Sequence, residues 1–293
     1  MRPLPAVAAV VLLLALLPAL PVRAPPDKDW TVLVYMDADN DLEDVGIEDF
    51  IEMAAVGSTP EVNVVVQMDR TPLHENTYGN WSTARRFYVT AGMTPDAPGT
   101  DLGEVNMANP AELVSFVNWG IGNYPAAHYF LVLWDHGDGW QGVVVDDDPV
   151  VGDRLNATEL RTAMSAIVAA NGRRIDLLGN DACRMTLEIQ YELADFVDYF
   201  VGSEKDEPRE GWQYTPFLQA LTAEPTMSPL AVATALVDTF VESYTGVSLY
   251  SVALSAVSAA GLRPLVAGLN AFLDELAVHQ PFFTQEVLSA RGA

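Results

Sequence analysis

The sequence contains one cysteine, Cys183, and four histidines, His74, His128, His136 and His279. A thiol attacks as its thiolate, so it needs a base or a cation beside it. Histidine titrates in the range where it can take that proton and later return it to a leaving amine. With a single cysteine the chain closes no internal disulfide. Cys183 is therefore either a small buried core residue or a reactive thiol. Which histidine could serve it is a matter of position. His74 lies in a polar stretch, His128 precedes an apolar run, and His279 ends a late helical pattern. His136 alone follows directly on a buried-strand signal, as Cys183 does. Gly137 comes next, and without a side chain its N–H could join that of Cys183 in holding an oxyanion.

Those two positions depend on the elements that end at them. Trp30–Met36 is a continuous apolar, β-branched run, the pattern of a strand buried on both faces; Val62–Met68, Tyr129–Trp134 and Ile175–Leu178 read as further buried strands, and Phe196–Val201 as a fifth strand. Ala84–Val89 and Leu249–Val257 are further candidate strands. Helical patterns lie between them over 41–55, 110–119, 158–170, 185–193, 228–246 and 261–278. Asn109-Pro110 and Ser228-Pro229 are start signals for two of these. Alternating buried strands and helices predict an α/β fold with a mostly parallel sheet. In such sheets sites form beyond the carboxyl ends of the strands. His136 and Cys183 would then share one rim.

The first 26 residues read as a signal peptide or an N-terminal anchor. Arg2 precedes the apolar run Ala6–Leu20, and Val22-Arg23-Ala24 resembles a cleavage site. The run is short for a membrane span, and a membrane association is expected only if it stays uncleaved. Residues 27–293 are expected to form one catalytic-sized domain, with a C-terminus that can be incomplete. The formal net charge of −25 argues against nucleic acid as a partner, since phosphates would be repelled. An acidic surface also keeps an exported protein dispersed.

Five segments, in order, resemble the clostripain family of cysteine peptidases in the caspase-like clan. They are WTVLVYMDADNDLE (30–43), GEVNMANP (103–110), YFLVLWDHGDGW (129–140), IDLLGNDACRM (175–185) and VGSEKDEPREGWQY (201–214). The resemblance covers roughly residues 29–260. It implies a caspase-like sandwich with a central, mainly parallel sheet between helices. By position it implies His136 as general base and Cys183 as nucleophile, with no third member required. It also implies an enzyme that cleaves peptides and proteins after Arg or Lys, which the N-terminal segment would make secreted or cell-surface. Two positions depart from the family pattern: Asn180, where an aromatic residue is usual, and Arg184, where an apolar one is common. Arg184 could lower the thiol pKa or fill part of the pocket.

A pocket for a basic side chain needs a carboxylate at its floor. Asp181, two residues before Cys183, is the acid the resemblance implies, although an acid there could also cap a turn. A second is expected from Glu204–Glu207, with Asp206 as the choice. Trp212 could wall the cleft or pack in the core. Asp135 adjoins His136 but should face the opposite side of its strand.

The resemblance requires no cofactor, but some members respond to calcium. Asp37, Asp39, Asp41 and Glu48 partly match a calcium loop, although acids between a strand and a helix also serve as caps. Asp146-Asp147-Asp148 is an acidic patch that could attract a basic substrate or a cation. The resemblance also implies self-cleavage between the histidine and cysteine motifs, for which Arg154, the first basic residue after His136, is the expected site, although it could also be an ordinary surface residue. A different reading keeps the fold without the chemistry: a non-catalytic protein that binds basic peptides in its acidic cleft.

Overall fold

The computed structural model describes residues 28–148, 151–247 and 251–291. The N-terminal targeting segment lies outside the described residues, as does the start of the expected 249–257 strand. Among the described residues no helix is long and apolar enough to cross a membrane.

The chain runs β1 (Lys28–Ala38), α1 (Glu43–Val56), β2 (Val62–Arg70), β3 (Ala84–Tyr88), β4 (Thr100–Gly103), α2 (Pro110–Asn123), β5 (Ala126–Trp134), β6 (Val143–Asp146) and β7 (Asp153–Leu155). It continues through α3 (Ala157–Asn171), β8 (Ile175–Asp181), α4 (Leu187–Leu193), β9 (Val197–Gly202), α5 (Tyr214–Ala223), α6 (Pro229–Tyr244), β10 (Ser255–Ser258) and α7 (Ala259–Arg291). Eight strands form one sheet in the order β10-β9-β8-β5-β1-β2-β3-β4. The five inner strands are parallel, and β3, β4 and β10 add antiparallel edges. The expected mostly parallel sheet is therefore present.

Alternate residues of β1 divide the core. Trp30, Val32, Val34 and Met36 meet α1, α5 and α6 on one face. Leu33 and Tyr35 meet α2, α3 and α4 on the other, with the start of α7. Burial on both faces is why the inner strands are apolar without alternation. Two proline-led helices start as expected: Asn109 caps α2 and Ser228 caps α6, each accepting a backbone N–H. The 185–193 pattern becomes helix only from Leu187, because the amides of Arg184 and Met185 donate instead to the carbonyls of Lys205 and Ser203. Helix α5 had no counterpart among the sequence patterns. Arg154 lies in the short β6–β7 hairpin rather than in an open loop.

Candidate active site

β5 and β8 are neighbours, with Trp134 level with Asp181. His136 and Cys183 each lie two residues further on. Both side chains open on one cleft of about 260 Å³, which Asp41, Asp181, Glu207 and Arg209 also line. Gly137 is held to its identity by this meeting of loops. A Cβ there would stand 2.2 Å from the carbonyl oxygen of Cys183. On either side the amides are used: Asp138 donates to Gly142, and Arg184 to Lys205. The amides of Gly137 and Cys183 stand outside those pairs.

His136 has a partner that sequence reasoning did not name. Its Nε2 is 2.8 Å from Oδ1 of Asp41, in the turn after β1. This bond holds the Asp41 carboxyl below its ordinary range. Asp135 faces away, as expected. Buried, it accepts from the Asn40 side chain at 2.8 Å and from the Val145 amide.

Cys183 is half-buried, and its Sγ accepts the backbone N–H of Glu207 at 3.3 Å. Burial pushes the thiol up; the Glu207 amide and the Arg184 charge work against that, and the Asp206 carboxylate adds to it. Burial thus favours the neutral thiol over the thiolate, so attack by the sulfur calls for a base.

Beneath it lie buried acids. Asp181 is 4% exposed, accepting from the Tyr214 hydroxyl at 2.7 Å and the Trp212 amide at 3.1 Å. Desolvation raises its pKa to about 7 despite those donors. Glu207 lies against it, pushed well up by burial and by the charges of Asp181 and Cys183. Neither Glu207 oxygen closes a full hydrogen bond. Of the Glu204–Glu207 stretch it is therefore Glu207 that lines the cleft, and Asp206 does not. Asp206 is exposed and bonds Arg184 at 2.6 Å. The loop turns between the two residues, sending one side chain inward and its neighbour outward.

Arg184 does not fill the pocket. It adopts a left-handed backbone (φ 62°) and spans two loops, pairing with Asp138 at 2.7 Å and with Asp206. Arg154 shares Asp138, at 3.7 Å. Trp212 is a core residue, fully buried and stacked against Phe130. Gly179 makes room for it, since a Cβ there would meet the indole at 2.6 Å.

The expected calcium loop is not gathered as such. Asp41 is engaged by His136, and Glu48 is exposed on α1. Nor do its acids cap α1; Asn40 accepts the Leu42 amide instead. On the opposite face of the same sheet edge, Asp37, Asp69, Asp135 and Asp146 are buried together. Asp39, Glu104 and Asp148 border them.

A model of the clostripain family matches residues 34–287 of this chain. Clostripain of Hathewaya histolytica is 27% identical over 185 residues, which cover 55% of this chain and 35% of that protein. The match thus spans little more than a third of that relative's length. A secreted C11 cysteine protease from Bacteroides thetaiotaomicron, solved with an irreversible peptide inhibitor, is similar in structure, with a TM-score of 0.65 and 25% identity over 82% of this chain and 69% of that one. An inactive zymogen C11 protease from Parabacteroides distasonis shares the fold, with a TM-score of 0.62 and 21% identity over 83% of this chain and 66% of that one. The architecture is the caspase-like sandwich that the sequence resemblance implied. With most of its described length matched by that family model, the chain belongs to the clostripain family.

Proposed function

We propose that this protein is an exported cysteine endopeptidase that hydrolyses peptide bonds after Arg or Lys. His136 takes the Cys183 proton, and the sulfur attacks the scissile carbonyl carbon. The oxyanion is held by the amides of Gly137 and Cys183. Collapse breaks the C–N bond as His136 protonates the leaving amine, and a thioester remains. His136 then deprotonates a water, which attacks the thioester and returns the thiol. The observation that carries the specificity is the pair of buried acids, Asp181 and Glu207, lining the cleft beside Cys183. Among the described residues neither acid has an ion-pair partner, and an entering guanidinium or ammonium would supply one.

The same preference makes Arg154 a site of self-processing. Leu155, the next residue, is fully buried in the β6–β7 hairpin. The hairpin must open before the bond can enter a cleft, so this step is slower than cleavage of a flexible peptide. The targeting segment and the secreted relative support an extracellular setting.

The test is a set of fluorogenic peptides with Arg, Lys, Asp or Leu before the bond, compared between the unaltered chain and Asp181→Asn. Cleavage confined to Arg and Lys, and lost in the variant, is expected. Cleavage after Leu or Asp alone would discard the acidic pocket.

A further inference from the structure

The two sides of the cleft are held from distant parts of the chain. His136 is gripped from the turn after β1, through the Asp41 side chain. Cys183 is held from the loop after β9, through the Glu207 amide. Arg209 joins the two. It follows Glu207 by two residues, in a tight turn that the Gly211 amide closes on the Pro208 carbonyl at 3.0 Å. The far end of this turn is pinned where the Trp212 amide donates to Asp181 at 3.1 Å. Gly211 is left-handed there (φ 53°), and a Cβ would stand 2.8 Å from the same carboxylate. The Arg209 guanidinium projects from the turn. It bonds both carboxylate oxygens of Asp44, in the first turn of α1, and donates to the Asp41 carbonyl at 2.8 Å. These partners precede it by 165 and 168 residues.

The contacts close a ring around the cleft. It runs from His136 to the Asp41 side chain, from the Asp41 carbonyl to Arg209, back through Pro208 to Glu207, and from the Glu207 amide to the Cys183 sulfur. We propose that Arg209 is a positioning residue, holding base and thiol in register with each other through Asp41 and Glu207. This role rests on the peptidase reading, which gives His136 and Cys183 their joint task.

The chemistry of the tether is specific to a guanidinium. Its planar fork can grip a carboxylate with two nitrogens and still offer a donor to a carbonyl, whereas an ammonium is a point charge. Each partner favours the charge of the other: the Arg209 hydrogen bond holds the Asp44 carboxyl below its ordinary range, and the Asp44 hydrogen bond raises Arg209. Both side chains are about half exposed, at 47% and 49%. Exposed ion pairs add little to folding stability. What the bonds fix is the tip of the 207–212 segment, whose ends are already held by the amides of Glu207 and Trp212. Small displacements matter there, because reacting groups must meet in a narrow range of geometry.

The test compares Arg209→Ala, Arg209→Lys, Asp44→Asn and the double variant Arg209→Ala with Asp44→Asn against the unaltered chain. Alkylation of Cys183 by iodoacetamide, a neutral reagent, is followed at neutral pH beside turnover of an Arg peptide and thermal unfolding. Asp44→Asn separates a tether from a simple field. By charge alone, losing an anion would favour the thiolate and speed alkylation. Losing the tether should slow it instead, as Arg209→Ala does, by at least about twofold in each. Turnover should fall about tenfold in kcat in both variants. The double variant should be no slower than either single one, because both break one link. Arg209→Lys should recover little. Melting temperatures should stay within about two degrees of the parent. Arg263→Ala, which breaks a similar exposed pair with Asp195 outside the cleft, should change neither rate. Faster alkylation in Asp44→Asn, full recovery in Arg209→Lys or additive losses in the double variant would overturn the role. So would a fall in melting temperature large enough to account for the lost rates. A parent that cleaves no peptide would instead sink the peptidase reading, and the alkylation rates would still decide whether Arg209 supports the thiol.

Discussion

Asp41 Oδ1 lies 2.8 Å from His136 Nε2, so the imidazole beside the lone cysteine is gripped by a carboxylate from the neighbouring strand's turn. The bond leaves the other ring nitrogen for work in the cleft. It gives the ring a fixed orientation without burying a charge, because Asp41 itself is exposed. In the proposed mechanism Asp41 is a positioning residue, acting through His136. Asp41→Ala should lower kcat about tenfold and leave KM within twofold, the effect of a base that is present but loosely held. Asp41→Asn should recover part of that loss. An unchanged kcat in both variants would remove Asp41 from the mechanism.

The two acids beneath the sulfur carry a pH signature. Asp181 binds its proton more tightly when folded, at about 7, than an ordinary carboxyl does. Its protonated form therefore favours the folded state. Stability is highest below the ordinary carboxyl range and declines as pH rises toward 7. Asp181→Asn should melt a few degrees higher than the parent at pH 8 and close to it at pH 5. An arginine analogue such as benzamidine should stabilise the parent more at pH 8 than at pH 5, and the variant at neither. Differential scanning at the two pH values checks both statements.

Arg184 and Asp206 oppose each other at the thiol. Burial is the main cause of its raised pKa, the Asp206 charge adds to it, and the Arg184 charge subtracts. Asp206→Asn should speed iodoacetamide alkylation of Cys183 at neutral pH, because the thiolate fraction rises when a charge that raises the thiol pKa is removed. Arg184→Ala should slow it. The ion pair is exposed, so both effects should shrink in molar salt. Shifts of equal sign in the two variants would rule out this opposition.

Gly137 leaves no space for any other side chain. A Cβ would meet the Cys183 carbonyl oxygen at 2.2 Å, which is backbone and cannot swing aside. Gly137→Ala should reduce kcat/KM by at least about a hundredfold, as expected when the reacting groups are displaced by a fraction of an ångström to 1 Å. Circular dichroism should still report a folded chain. Near-normal turnover would show that the two loops can part without consequence.

The inner strands were legible because they are buried on both faces, which turns them into unbroken apolar runs such as YFLVLW and WTVLVYM. That legibility placed His136 and Cys183 at one edge before any contact was known. The short β6 and β7 were not legible: three or four residues in an acidic stretch carry no period. Helix α5 was hidden by Pro216 near its start and by its brevity. The Asp41–His136 bond joins residues 95 positions apart, a pairing that no local pattern encodes. Asp206 and Glu207 differ only in which way an irregular loop turns. In a strand the two-residue alternation would have separated them, and a loop offers no such rule.

The proposed mechanism has His136 activate Cys183 for attack at a basic residue. It is tested most directly by an irreversible ketone label bearing Arg, with the site of attachment read by mass spectrometry. One adduct on Cys183 is predicted, formed rapidly in the parent, strongly slowed in His136→Ala and weakened in Asp181→Asn. An unlabelled Cys183, or labelling at the same rate without His136, would contradict the claim and leave an acidic cleft that binds basic peptides without cutting them.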